Sequence, residues 1–380
     1  MFYFVPISFN HLAAASINRC KAYINGFSQL GVETTVVYYG NKNEYADNEL
    51  PHINFSYFRN PFANKWLSYI SQSFYVIWFL LKLKKDDVVF FYGSAWLWYQ
   101  VVKWKKGVKV YVEYNEKNEI VGIGGKFLTP SFENFYKAST KLDGLLVIST
   151  ALKEWYVSKG VERNKINIIN VIVDFSRFEG LKKQPCERYV AYCGTATNNK
   201  DGVDQLIKAF ALVANKHLDV KLYIIGKIPD NHQAFENAQL VDILGLTDRV
   251  VFTGPVAIEA MPQMLINAEA CALARPDNEQ ARYGFATKMG EYLLSGNPVV
   301  VTKVGDFPLF LKDGESALLA DADNVNSFAE KLDWCLTNVE EAKKIGANGK
   351  QIAFKYFNYI TETKKIADFI GLEANNSFID

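Results

Sequence analysis

The chain has no CxxC pair, no HExxH or HxxxH cluster, no long apolar run and no surplus of either charge. Its five cysteines (Cys20, Cys186, Cys193, Cys271 and Cys335) are scattered and odd in number. This excludes a disulfide framework and points to free thiols in a reducing compartment. His11, His52, His217 and His232 are far apart, so no zinc site and no metal is expected. A formal charge of +1 argues against a nucleic-acid binder held mainly by counterion release. The amino end, MFYFVPISFN, has neither a basic n-region nor a long apolar h-region, so no signal peptide is expected. The longest apolar run, residues 74–81, has eight residues. A spanning helix needs ~20, so the expectation is a cytoplasmic chain that does not cross a membrane.

What is present describes a soluble globular protein, 49% apolar and 22% charged, and 380 residues suit two domains. Short β-rich runs alternate with helical stretches. Strands are expected at 2–5, 32–39, 87–92, 108–115, 144–149 and 165–173, with helices at 12–30, 65–84, 130–140 and 151–159. A polar, basic stretch with Pro185 follows, and 176–188 reads as a linker. The alternation then restarts, with strands at 189–194, 220–226, 249–254, 270–274, 298–302 and 316–320. Helices are expected at 201–214, 235–244, 258–267 and 286–294, with more to the carboxyl end. Buried strands alternating with helices imply α/β domains with doubly wound parallel sheets. The domains are read as 1–175 and 189–358. Two such domains are expected to leave a ligand cleft at the carboxyl ends of their strands.

The most informative stretch is "YGFATKMGEYLLSGNPVVVTKVGD" (283–306). Gly284 allows a tight turn, and the helix after it offers unpaired N–H groups and a positive dipole end to an anion. At 3.6 residues per turn Thr287, Lys288 and Glu291 share one face, opposite Phe285, Met289, Tyr292 and Leu293. Phosphate at the helix tip and a ribose on Glu291 one turn below would match a nucleoside diphosphate. Alternatively, Lys288 and Glu291 form only a surface i,i+3 pair, worth about 0.2–0.5 kcal/mol.

This stretch resembles the donor-site signature of family 4 glycosyltransferases, whose fold is GT-B: two Rossmann-like domains facing across a cleft. There an acid precedes Gly-Phe, and a second acid follows eight positions later, before a small-residue turn and PVV. The resemblance implies that Glu291 binds the ribose and that the backbone at Gly284, Phe285, Ala286 and Thr287 contacts diphosphate and sugar. Tyr283 stands in place of the first acid, which bears on sugar identity more than on nucleotide binding. "YCGTATNNKDGVDQLIKAF" (192–210) resembles the family's strand, glycine loop and lysine-bearing helix start. The resemblance assigns Gly194 to the loop and Lys200 to the donor β-phosphate. Thr195 replaces an arginine common in the family, and Lys288 or Arg275 is expected to make up the charge. "LYIIG" and "VVFTGPV" resemble strands flanking the base, with Gly226, Thr253 and Pro255 as contacts.

In the first half, "VEYNEKNEI" (112–120) places Glu113, Asn115, Glu116 and Glu119 at a strand end. Asn115-Glu116 matches the family's histidine–acid pair with the histidine lost; the other reading is solvated acids. In "PISFNHLAAA" (6–15), Asn10 and His11 lie where the family's first loop approaches donor and acceptor, although a lone loop histidine is equally read as structural. "VISTALKEWYVSKGV" and "NVIVDFSRF" resemble segments before the linker, where Asn170 and Asp174 order the hinge. "FNYITETKKIADFI" resembles the terminal helix, so 359–380 is expected to pack back on the first domain. Residues 62–85 mix Trp66, Tyr69, Phe74, Trp78 and Leu81 with Lys65, Lys82, Lys84 and Lys85. They read either as an interfacial helix at an anionic membrane face or as a helix buried against the sheet.

The resemblance implies a retaining transferase that uses a UDP- or GDP-sugar and a glycan or polyprenyl-diphosphate-linked acceptor, as in bacterial surface polysaccharide synthesis. Lys200, Asn115, Glu116 and His11 are its expected catalytic residues, and the nucleotide sugar is a co-substrate, with no separate cofactor. Two rivals remain: a catalytically silent sugar-nucleotide-binding partner of another transferase, and a GT-B epimerase.

Overall fold

The computed structural model describes residues 1–6, 14–40, 49–59, 65–117, 130–228 and 232–374. The chain divides into two units, Met1–Ile172 with Tyr359–Asp380, and Val173–Asn358. The first contains β1 (Phe2–Val5), α1 (Ala14–Gln29), β2 (Thr34–Tyr39), β3 (Ile53–Phe58), α2 (Lys65–Lys82) and β4 (Val88–Tyr92). It continues through α3 (Ala95–Trp104), β5 (Lys109–Tyr114), α4 (Phe132–Ser139), β6 (Gly144–Val147), α5 (Thr150–Ser158) and β7 (Ile166–Ile168). Its parallel sheet runs β3-β2-β1-β4-β5-β6-β7. Every residue of β1 and β6 is buried, as expected of strands covered on both faces.

Two of these elements are absent from the sequence-based expectation. β3 lies at the sheet edge with irregular burial, although its sequence alternates apolar and polar residues from Ile53 to Tyr57. The residue before α3, Ser94, is left-handed (φ 55°) and makes no side-chain cap. Ser94 is a residue type that usually starts a helix, but it does not cap this one.

The second unit repeats the plan. It holds β8 (Arg188–Cys193), α6 (Asn198–Asp201), α7 (Val203–Ala214), β9 (Val220–Ile225), α8 (His232–Ile243), β10 (Val250–Gly254) and α9 (Met261–Asn267). Next come β11 (Ala270–Leu273), α10 (Glu279–Tyr283), α11 (Lys288–Leu294), β12 (Val299–Thr302), α12 (Phe307–Phe310) and β13 (Leu318–Ala320). Two helices, α13 (Val325–Thr337) and α14 (Val339–Tyr356), close it. The sheet order is β10-β9-β8-β11-β12-β13, all parallel. The order reverses between β8 and β11, so their carboxyl ends diverge into helices on opposite faces. Such a point leaves a natural ligand crevice.

The stretch 176–188, expected as a linker, makes its contacts with the second unit. Phe178 is buried, the Gln184 N–H donates to Asn267 Oδ1 (2.9 Å) and Lys183 Nζ to the Ala268 carbonyl (3.3 Å). The chain enters and leaves this unit side by side, at a bridge between Val173 and Asn358. It then returns to the first unit as α15 (Tyr359–Ile370). There Ile366, Ala367 and Ile370 join the core of Phe4, Tyr23 and Phe27. Gln29 Nε2 donates to the Tyr359 hydroxyl (2.8 Å) and the Asn170 N–H to Glu362 Oε2 (3.0 Å).

Glu113, expected at a strand end either near the cleft or in solvent, is buried in this core. Alternation along β5 turns it inward, where it accepts from Arg19 Nε (2.7 Å) and the Tyr23 hydroxyl (2.7 Å). Arg19 also donates to the carbonyls of Asn170 (2.8 Å) and Ile169 (3.2 Å). Both ions are thus buried with hydrogen-bonded partners, as a buried pair requires.

Candidate active site

The switch point of the second unit gathers the polar residues. The ladder continues past the strands: the Gly194 N–H donates to the Ile225 carbonyl (2.8 Å) and that of Gly226 to Gly254 (3.1 Å). The Tyr292 hydroxyl lies against the backbone of Cys193, 2.6 Å from its N and 3.3 Å from its O, and so fixes where the Gly194 loop begins. Gly202 separates α6 from α7 with φ +67°, and a Cβ there would lie 1.9 Å from the Ala274 carbonyl. Only glycine permits that approach, and it carries Asp201 into the crevice. Asn278 secures the turn, donating through Nδ2 to the Asn199 carbonyl (2.6 Å).

Lys288 opens α11 and reaches back toward the strand ends, the direction a helical side chain naturally takes. Its Nζ lies 2.6 Å from Asp201 Oδ2 and 3.1 Å from the Tyr192 hydroxyl. It also lies directly beneath the loop, since a Cβ at Gly194 would meet it at 2.6 Å. The Tyr192 hydroxyl is within 2.7 Å of the Thr195 carbonyl and 2.8 Å of Asp201 Oδ2. With one proton, it donates to one of them at a time.

Burial dominates the electrostatics. It pushes the Lys288 ammonium below its ordinary value, and Asp201 recovers part of the loss while the Arg275 guanidinium opposes it. Burial would raise the Asp201 carboxyl, but Lys288, Tyr192 and Arg275 together hold it below its ordinary value. Asp201 is therefore ionised at neutral pH and supports the charged form of Lys288. Asp201 Oδ1 is buried without a hydrogen-bond partner among the described residues. Burial raises the Cys193 thiol to about 12, which removes it as a nucleophile at neutral pH.

Glu291, one turn further along α11, pairs with Arg177. Lys288 and Glu291 are thus not an i,i+3 pair with each other, and the expected outward-pointing trio is corrected. Thr287 is exposed and makes no side-chain cap, Lys288 turns back under the loop, and Glu291 faces Arg177. Gly284 is corrected as well. It is extended (φ −102°, ψ −178°), a conformation open to any residue, so no tight turn requires it. Tyr283 ends α10 half-buried. Phe285 packs on Phe307, Phe310 and Phe357, and Ala286 is buried, so only their backbone can reach a ligand.

The other expected residues fall as follows. Lys200 is half-buried on α6, beside Asp201, while Thr195 is exposed on the loop. Arg275 is buried where β11 ends, donating through Nη2 to the Gln280 carbonyl (3.2 Å). Gly226 and Thr253 are half-buried at neighbouring strand ends, and Pro255 is exposed. In the first unit Asn115 and Glu116 are half-buried after β5, and Asn115 Nδ2 donates to the Tyr92 hydroxyl (2.9 Å). Asn10, His11 and Glu119 lie outside the described residues. Sequence reasoning missed Asp201, Tyr192 and Arg177. Asp201 had a signal in its place between Lys200 and the helix-breaking Gly202.

Two parallel-sheet, Rossmann-like domains of seven and six strands are the GT-B architecture. Solved structures agree. HepE of Anabaena with UDP and glucose bound superposes with a TM-score of 0.73 at 16% identity, covering 97% of this chain and 99% of that one. The lipopolysaccharide outer core galactosyltransferase WaaB in its apo form gives 0.68 at 15% identity, covering 97% and 99%.

The family model described as Glycosyltransferase Family 4 matches residues 18–177, and the model described as Glycosyl transferases group 1 matches 187–338. The chain belongs to the family 4 glycosyltransferases. An MMP alpha-(1->4)-mannosyltransferase of Mycolicibacterium hassiacum is 24% identical over 225 residues, 59% of this chain and 52% of that protein. A mannosylfructose-phosphate synthase of Agrobacterium fabrum is 30% identical over 178 residues, 43% and 38% respectively. The chain spans about half the length of the curated relatives it matches.

Proposed function

We propose that the protein transfers a sugar, with retention of anomeric configuration, from a UDP- or GDP-sugar to a glycan or polyprenyl-diphosphate-linked acceptor. The setting we propose is bacterial surface glycan synthesis at the cytoplasmic membrane face. One observation carries this reading: a half-buried ammonium, Lys288, held by Asp201 and Tyr192 beneath Gly194 at the β8/β11 switch point. A desolvated, pre-placed cation stabilises the charge that develops on a departing diphosphate more strongly than one in water does. Lys200 and Arg275 add positive charge nearby, so the diphosphate is neutralised by side chains rather than by a metal. Glu291 accepts from the ribose hydroxyls. Asn115, Glu116 and His11 are proposed to face the sugar and acceptor. HepE, whose structures hold UDP, glucose or UDP-glucose, and a relative named as GDP-mannose-dependent support both donor bases.

Membrane contact is the second part of the proposal. Leu67, Ile70, Phe74, Ile77 and Leu81 are all exposed on α2, and they fall within about 80° of its circumference at 3.6 residues per turn. A groove of about 390 Å³ beside them is lined by Ser73, Val76, Ile77, Leu80, Gln100 and Trp104. Lys84, Lys85, Lys103 and Lys106 are exposed around it. An apolar stripe with a cationic rim suits an anionic bilayer surface.

The transferase reading is tested by incubating the protein with UDP- and GDP-sugars and lipid-linked acceptors, with and without EDTA. The expected result is glycosylated acceptor of retained configuration, unaffected by the chelator. Binding without transfer or donor hydrolysis across the panel would instead indicate a silent partner. A new sugar nucleotide formed from donor alone would indicate an epimerase.

A further inference from the structure

Glu291 is not an isolated acid. Its carboxylate is held by a guanidinium that is itself anchored at several points. Arg177 sits on a 3-10 turn, Phe175–Phe178, whose start is capped by Asp174: Oδ1 accepts from the Ser176 N–H (3.0 Å) and hydroxyl (2.7 Å). Phe178 buries one side of the turn, and Phe175 packs edge-on against Phe354 with ring centroids 4.6 Å apart. From this base Arg177 donates through Nη2 to the Ile258 carbonyl (3.0 Å) and through Nη1 to Glu291 Oε1. Both side chains of the pair are only 21% exposed. Among the described residues, Oε2 of Glu291 has no hydrogen-bond partner.

We propose that Arg177 is a positioning residue that sets the protein's preference for ribose over 2′-deoxyribose in the nucleotide. This rests on the reading of Glu291 as the ribose-binding acid. The guanidinium occupies Oε1 and fixes the carboxylate plane, which leaves Oε2 to accept from the vicinal hydroxyls of the pentose. A carboxylate grips a diol with specificity only when its orientation is set in advance; a freely rotating one gives up part of each bond as ordering entropy. The guanidinium suits the task because its planar fork holds two acceptors at once, here a carboxylate and a carbonyl, which an ammonium cannot reproduce. Arg177 need not touch the nucleotide to do this.

The test compares binding of UDP with 2′-deoxy-UDP, and GDP with 2′-deoxy-GDP, by calorimetry on the full chain and on R177Q and R177K. Thermal unfolding of each variant is measured in parallel. The wild type is expected to favour the ribonucleotide by about tenfold or more, the value of one charge-assisted hydrogen bond. R177Q is expected to narrow that ratio to about threefold or less, through weaker ribonucleotide binding with little change for the deoxy form. R177K is expected to fall between the two, and it carries the test if R177Q does not fold. A folded R177Q or R177K that discriminates as strongly as the wild type overturns the proposal. A wild type that binds nucleotide without preferring ribose overturns it too, and removes the ribose assignment of Glu291 with it. A wild type that binds neither UDP nor GDP refutes the donor-site reading itself.

Discussion

A lysine that binds phosphate must be both close and charged, and in the proposed site Lys288 meets these demands in conflict. Burial beneath Gly194 excludes water and strengthens its field, yet the same burial lowers its proton affinity. Asp201 settles the conflict by supporting the charged form at 2.6 Å. The sign of the pH dependence follows. In the proposed donor site Lys288 attracts a diphosphate only while protonated, so affinity is expected to fall as pH rises through a value below the ordinary 10.5. Asp201→Asn removes the supporting charge and moves that alkaline fall to lower pH. Lys288→Met abolishes it and weakens UDP or GDP binding by about 1.5–3 kcal/mol. Calorimetry across pH 6 to about 10 measures both; an unchanged profile in Asp201→Asn contradicts this role. The acid side runs the other way. Asp201 is held below its ordinary 3.8, so the pair's contribution to stability is present above that value and lost as acid protonates it.

At this scale the sequence showed Lys288 and Glu291 but not their partners. Helical spacing says which side chains share a face, and by that measure Thr287, Lys288 and Glu291 formed one group. The fold sends them apart. Asp201 lies 87 positions from Lys288 and Arg177 lies 114 from Glu291, separations that no local pattern reports. Gly284 shows the opposite error. Its turn chemistry looked necessary, yet its backbone is ordinary.

Among the elements, α2 was the least settled by pattern alone, since an aromatic, lysine-ended helix suits both a buried and an interfacial place. The structure buries one face of it and leaves another exposed. Tyr75, Val76 and Phe79 are buried, with Tyr75 packed on Tyr39, Phe58 and Trp96. The exposed side is aliphatic apart from Phe74, whereas Trp78 lies against Phe58 and Tyr75. Flotation with vesicles containing anionic lipid therefore reads α2 directly. Phe74→Ser and Ile77→Ser are each expected to reduce binding by about tenfold or more, from the apolar area lost. Binding of the wild type is expected to weaken with salt as surface charge is screened. Equal binding of wild type and the double variant to these vesicles contradicts an interfacial role. Among the described residues no helix is long and apolar enough to cross a membrane.

In the whole molecule, strand and helix alternation was legible for most elements because buried parallel strands read as short continuous apolar runs. β3, α3 and the short helices α10 and α12 escaped; β3 is a half-buried edge, and α3 starts without a capping side chain. The return of the chain through α15 was legible only by resemblance. Physically it rests on Ile366, Ala367 and Ile370 in the first unit's core and on Glu362, whose carboxyl burial raises above its ordinary value. What organises function is the repeated topology. The second sheet reverses order between β8 and β11 and brings the glycine loop, Asp201, Arg275 and Lys288 to one crevice. A crystal structure of the protein soaked with UDP or GDP examines that claim most directly. The account predicts the diphosphate against Lys288 Nζ and the Gly194 backbone, with the ribose hydroxyls on Glu291. A nucleotide lodged elsewhere, with Glu291 unengaged, would contradict it.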